Sequence, residues 1–177
     1  MKNDPLWERL SRIRLLVLDA DGVLTSGGLY YGPNGSEYKV FDVKDGLGIK
    51  LLQKAGVEVA IISIKQSLAL KARARDLGIA HLIMGKENKR AEAKALRERL
   101  GFLKEEVMAV GDDLPDLGLF SEAGIKVAVP NGAVELKEAA DLILTKEGGK
   151  GAVREVSEMI LKAKGLWSRV VASMNLE

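Results

Sequence analysis

The sequence predicts an α/β protein, a three-layer sandwich built on a mainly parallel sheet. Apolar runs of strand length alternate with amphipathic stretches of helix length, and that order calls for a sheet covered by helices. Most of the runs are apolar at every position, as strands buried on both faces are. Glycines at positions 56, 78, 101 and 124 follow helical stretches, where a chain leaving a helix often needs a left-handed residue.

In chain order, Asp4 and Pro5 open a short leading helix with a capping residue and a proline in its first turn. A first strand runs from Ile13 to Leu18. Gly28 to Phe41 then breaks the alternation with two β-prone arms around Pro33-Asn34-Gly35, a hairpin projecting from the sheet. All three tyrosines, Tyr30, Tyr31 and Tyr38, lie on it. They either fold back onto their own domain or are buried against another subunit; the second is the expectation, because left in water they form an adhesive patch. Helices follow near Gly46 to Ala55, Ser67 to Leu77, Lys89 to Leu100, Pro115 to Ala123 and Ala133 to Ala139. Strands at Val57 to Ile62, His81 to Met84, Val107 to Val110, Ile125 to Val129 and Leu142 to Leu144 alternate with them, and a last helix, Ala152 to Lys162, packs back on the sheet. Trp7 and Trp167 anchor the terminal helices, His81 is structural, and Ser168 to Glu177 is a frayed or subunit-contacting tail.

Composition narrows the function. The 177 residues, 47% hydrophobic and 29% charged, suffice for one domain spanning residues 1–177. Lys plus Arg number 27 against 25 Asp plus Glu, a net charge of +2, which disfavours a dedicated nucleic-acid binder. No run reaches the roughly 20 apolar residues of a membrane span, and Met1 to Leu10 is too polar for a signal peptide, so a cytoplasmic protein without a membrane partner is expected. With no cysteine and a single histidine, chemistry falls to carboxylates, amines and hydroxyls.

Those groups stand at strand ends. The first strand ends in Asp19-Ala20-Asp21-Gly22, at the edge of an open α/β sheet where ligands bind. The strand from Val107 ends in Gly111-Asp112-Asp113, with Asp116 beyond. Several carboxylates facing one another repel unless a cation lies between them, and an all-oxygen set at a phosphate site favours Mg²⁺. Ser63 ends the second strand, and Lys89 opens the helix after the third, where its ammonium can reach the same rim. Each residue alone has an ordinary alternative: turn or helix capping for the aspartates and Ser63, simple solvation for Lys89. Their order along the chain carries the signal.

In that order the residues resemble the haloacid dehalogenase superfamily of phosphohydrolases, whose four motifs match Asp19-Ala20-Asp21-Gly22, Ser63, Lys89 and Gly111-Asp112-Asp113. The resemblance implies a Rossmann-like fold in which Asp19 attacks phosphorus and Asp21 is general acid and base. It further implies that Asp19, the Asp21 carbonyl and Asp112 hold Mg²⁺, with Asp113 and Asp116 behind them. Ser63, Lys89 and the loop amides beside Gly22 then grip the phosphoryl group. The gaps between motifs leave no room for a cap domain.

The best-matching branch is the capless phosphatases of 3-deoxy-D-manno-octulosonate 8-phosphate, through Asp21 to Thr25, Lys39-Val40-Phe41, Asp45-Gly46, Asn88-Lys89, Asp116 and Gly148 to Glu155. This implies a sugar-acid phosphate substrate, a role in lipopolysaccharide biosynthesis, and a homotetramer joined through the hairpins. Lys39, Lys65 and Arg154 become candidates for substrate recognition, although Arg154 could instead pair with Glu158 one turn on. One departure is Ser63-Ile64-Lys65 where that branch has Ser-Gly-Arg, which raises crowding or reshaping of the phosphate loop. Phosphatases of 2-keto-3-deoxynononate 9-phosphate or other sugar phosphates, a phosphomutase, a receiver domain and a weakly active or inactive assembly module are the rival readings.

Overall fold

The computed structural model describes residues 5–174. In chain order it contains α1 (Pro5–Ser11), β1 (Leu15–Leu18), β2 (Tyr30–Tyr31), β3 (Glu37–Tyr38), α2 (Val43–Lys54), β4 (Glu58–Ser63), α3 (Leu68–Leu77) and β5 (His81–Met84). There follow α4 (Lys89–Arg99), β6 (Val107–Gly111), α5 (Leu117–Phe120), β7 (Ile125–Ala128), α6 (Val134–Ala139), β8 (Leu142–Ile143), α7 (Ala152–Ala163) and α8 (Trp167–Ser173). Six strands form one sheet in the order β5-β4-β1-β6-β7-β8, and every neighbouring pair is parallel. The α/β class is as expected, and so is the lack of a cap domain among the described residues.

Alternation along β1 builds the three layers. Leu16 and Leu18 face a core with α1, α2, α3 and α7, whereas Leu15 and Val17 face a second core with Leu96 of α4, Leu119 and Phe120 of α5 and Leu136 of α6. Each such leucine buried contributes about 2 kcal/mol. The central strand is thereby held rigidly on both faces. Since β1 lies between β4 and β6, the residues at their carboxyl ends emerge side by side.

Local chemistry moves several boundaries. α2 starts at Val43 rather than near Gly46 because Asp42 caps it, accepting from the Lys44 N–H at 2.6 Å. The helix expected from Pro115 to Ala123 is instead a 3₁₀ turn, Leu114–Asp116, followed by the four residues of α5. The supposed tail is helical through Ser173: Arg154 and Lys162 lie over the Trp167 ring at 5.4 and 5.3 Å, and Val170 is buried. The capping role of Asp4 and the end of the expected tail, residues 175–177, lie outside the described residues.

The hairpin is shorter than the segment 28–41 suggests, two residues per arm around a 3₁₀ turn in which Asn34 is left-handed at φ 60°. Its tyrosines do not fold back. Tyr30, Tyr31 and Tyr38 are 53%, 67% and 59% exposed.

Candidate active site

The carboxyl ends of β1, β4 and β6 open into a cleft of about 200 Å³, lined by Asp19, Asp21, Ser63, Ile64, Lys65, Lys89, Asp112, Asp113, Pro115 and Asp116. The main chain of Asp19 continues the β1–β6 ladder, its N–H donating to Val110 O at 3.1 Å. Ser63, the last residue of β4, is buried, and its Oγ accepts from the Lys65 N–H at 3.3 Å. Lys89 arrives on the first turn of α4, which Asn88 caps by accepting from the Ala91 N–H at 3.0 Å. Two other clefts, of about 280 and 300 Å³, lie beside Leu166 and beside Leu77 and gather no group of acids.

At the floor, Asp19, Asp112 and Asp116 bring carboxylate oxygens within 4.8 Å of one another. The buried Lys89 ammonium bonds Asp19 and, at 2.6 Å, Asp116 Oδ1. The other oxygen of Asp116 accepts from the N–H groups of Asp112 at 2.9 Å and Asp113 at 3.3 Å. Both Asp116 oxygens are therefore occupied in orienting its neighbours. Asp113 is exposed and caps the 3₁₀ turn through Leu114 N at 2.8 Å.

One ammonium does not balance three carboxylates in a desolvated floor. Burial, then the charge of Asp116, pushes Asp19 up to about 7 against the pull of Lys89. Burial with Asp19, Asp116 and Asp113 nearby pushes Asp112 up to about 8. For Lys89, desolvation is outweighed by Asp19 and Asp116, which raise it above its ordinary value. An all-oxygen set with an excess of negative charge fits a hard divalent cation.

The loop after Asp19 is shaped by close approach. Gly22 has φ +101°, and a Cβ there would overlap the Asp112 carboxylate. Its N–H faces Thr25 Oγ1 at 3.4 Å. Gly148 and Gly149 lie directly on this loop: Gly149 N–H donates to Val23 O at 2.9 Å, and side chains at either glycine would strike the backbone of residues 22–26. Asp45 fixes the other end of that strap, accepting from the Arg154 N–H at 2.8 Å at the start of α7. A Gly22→Ala variant should lose about 1–3 kcal/mol of stability through the strained φ. It should need about 10- to 100-fold more divalent cation for half-maximal activity, because Asp112 is displaced. A cation titration overlaying wild type would refute this.

Ile64 introduces no strain. Asn34 is the non-glycine residue with positive φ among the described residues, so Ile64 keeps an ordinary backbone while its side chain lines the cleft. Arg154 is not brought to the cleft; its Nε bonds Glu158 Oε1 at 2.8 Å and its guanidinium covers Trp167. Lys39 does reach the site, but it bonds the Asp21 and Glu37 carboxylates. His81 pairs with Glu58 at 3.2 Å, away from the cleft, as a structural residue.

Known proteins are similar to this chain in sequence and fold. A family model described as haloacid dehalogenase-like hydrolase matches residues 71–156. The Haemophilus influenzae 3-deoxy-D-manno-octulosonate 8-phosphate phosphatase KdsC is 42% identical over 160 residues, 90% of this chain and 89% of that protein. This chain belongs to the haloacid dehalogenase-like hydrolases. Its KdsC relative from Escherichia coli K12 is 42% identical over 157 residues, 89% of this chain and 84% of the relative. Among solved structures, the Moraxella catarrhalis 3-deoxy-D-manno-octulosonate 8-phosphate phosphatase, crystallised with magnesium ion, phosphate ion and KDO, superposes with a TM-score of 0.92 at 40% identity over 96% of this chain and 97% of that one. The four stretches by which the sequence resembles these hydrolases are the four that line the cleft. Asp45-Gly46 and Gly148 to Glu155 stood out in the sequence only as matching stretches; the structure gives them their roles, a strap seated on the Gly22 loop and a cap at the start of α7.

Proposed function

We propose that this chain is a Mg²⁺-dependent phosphatase of 3-deoxy-D-manno-octulosonate 8-phosphate that works through an aspartyl-phosphate on Asp19. The convergence of Asp19, Asp112 and Asp116 around the Lys89 ammonium is the observation that carries this reading. Asp19, Asp112 and the Asp21 carbonyl would hold Mg²⁺, which when bound offsets charge on the phosphoryl oxygens. Asp116 orients Lys89 and the Asp112–Asp113 turn, and Asp113 supports that turn from outside.

The rest follows from the side chains. Asp19 attacks phosphorus in line, and its new ester replaces the bond to the sugar oxygen. Asp21 gives the departing alkoxide a proton, then removes one from the water that hydrolyses the acyl phosphate. Ser63 Oγ, Lys89 and the Gly22 loop hold the phosphoryl oxygens during both displacements. Lys65, exposed on the rim, is placed to meet the sugar acid. Arg154 is turned toward Glu158 and Trp167 and does not line its own cleft, so any part it takes in recognition is for a neighbouring subunit. The exposed tyrosine hairpin supports a homotetramer, and the enzyme is assigned to the cytoplasm; among the described residues no helix is long and apolar enough to cross a membrane.

Phosphate release from 3-deoxy-D-manno-octulosonate 8-phosphate, 2-keto-3-deoxynononate 9-phosphate and hexose phosphates tests this directly. The octulosonate should be preferred over hexose phosphates by about a hundredfold in kcat/KM. Chelation should abolish release and added Mg²⁺ restore it. Equal rates on all compounds would overturn the substrate, and no release with Mg²⁺ present would favour an inactive assembly module.

A further inference from the structure

We propose that Lys39 is a positioning residue for Asp21 rather than a group that binds the sugar, and that the hairpin thereby holds the acid–base carboxylate in place. This rests on the phosphatase reading above. The Lys39 side chain is 2% exposed, although it stands at the end of a hairpin whose tyrosines are open to solvent. Its ammonium bonds the Asp21 carboxylate on one side and Glu37 Oε1, at 2.6 Å, on the other. Glu37 is held in turn by Ser67, whose hydroxyl donates to Glu37 Oε1 at 3.3 Å while accepting from the Leu70 N–H at 3.2 Å. The chain of contacts runs from the loop after β1, through β3, to the start of α3.

Two features favour positioning over recognition. A carboxylate of the substrate could reach this ammonium only by displacing a carboxylate already paired with it in an enclosed site, which costs charge-assisted hydrogen bonds without adding any. Asp21 also needs an anchor: it follows β1 on a turn, its side chain is 23% exposed, and proton transfer requires its oxygen within hydrogen-bond reach of the leaving atom. Lys39 supplies that anchor from a separate element of the fold.

The leaving group separates the two roles. Departure of an alkoxide needs a proton from Asp21, whereas 4-nitrophenolate leaves without one. The ratio kcat/KM reports steps up to the first departure, and kcat includes the later hydrolysis. In Lys39→Met, kcat/KM should fall about 10- to 100-fold on glycerol phosphate and on the octulosonate 8-phosphate alike, and at least about tenfold less on 4-nitrophenyl phosphate. A burst of 4-nitrophenolate, about one per active site, should appear because hydrolysis of the acyl phosphate has become slow relative to its formation. Lys39→Arg should recover part of the loss.

A fall confined to KM for the carboxylate-bearing sugar would assign Lys39 to recognition and overturn the proposal, as would equal losses on aryl and alkyl phosphates with no burst. Should Lys39→Met fail to fold, Glu37→Gln carries the same comparison, with a smaller loss in the same order expected and no difference between leaving groups overturning it. Wild type inactive on every compound with Mg²⁺ would instead defeat the phosphatase reading.

Discussion

Replacing Asp19 with asparagine should lower turnover of the sugar phosphate by at least about a thousandfold and leave no acid-stable trace of phosphorylated protein on rapid quench with labelled substrate. The amide is nearly the same shape, so the phosphate and leaving-group contacts survive while the attacking oxygen does not. The same variant should be more stable than wild type when Mg²⁺ is withheld. Asp19 sits at about 7 in the folded chain against an ordinary 3.8, so the folded state keeps a proton that the unfolded chain has released. Stability therefore falls as pH rises from about 4 through about 7, and above that window the buried charge costs on the order of 2–4 kcal/mol. Asparagine removes the titration. Thermal midpoints from pH 4 to 8 should be flatter for Asp19→Asn, and saturating Mg²⁺ should close the gap by neutralising the wild-type carboxylate. A variant with wild-type turnover would end its assignment as nucleophile.

Removing the Lys89 ammonium has the opposite sign for stability. Lys89→Met leaves the Asp19 and Asp116 carboxylates buried without their shared partner, a loss of about 3–5 kcal/mol for a broken internal ion pair. For a chain of this size that is a drop of roughly 6–20 °C in melting temperature. The drop should shrink when the pH is lowered toward 5, where the buried Asp19 carboxylate takes up a proton, and when Mg²⁺ is added. Activity at saturating Mg²⁺ should still be reduced about 10²- to 10³-fold, since the fixed charge facing the phosphoryl oxygens is gone. Scanning fluorimetry with and without Mg²⁺, paired with phosphate release, checks both. An unchanged melting temperature at pH 8 without Mg²⁺ would show that Lys89 does not balance the floor.

Much of this was readable from local pattern. Apolar runs ending in Asp19, Ser63 and Gly111 announce strands whose ends share a rim, and Lys89 opens a helix with Asn88 as its cap. The unreadable parts depend on long-range approach. Asp45 capping α7 spans 109 residues, and nothing near either partner announces the other. Lys39 reads as an available cation in the sequence because its two carboxylates come from different elements. Arg154 had two destinations in the sequence, and the Trp167 ring beneath its guanidinium, at the start of a helix whose remaining residues the sequence presented as a tail, goes with its pairing to Glu158. Ile64 looked strained only by comparison with a glycine; a backbone angle cannot be read from the residue that replaces it.

The Gly148-Gly149 strap also bears on vectorial synthesis at the ribosome. A nascent chain stopped just before residue 148 would already contain all six strands, every acidic residue of the cleft and Lys89. It would lack the backbone that seats against residues 22–26 and the helix start that Asp45 caps. The first chemical motif to be translated thus waits for nearly the last part of the domain before it acquires its working shape, and a product released before that point carries every acid of the cleft but neither the strap nor α7, which completes one face of the core.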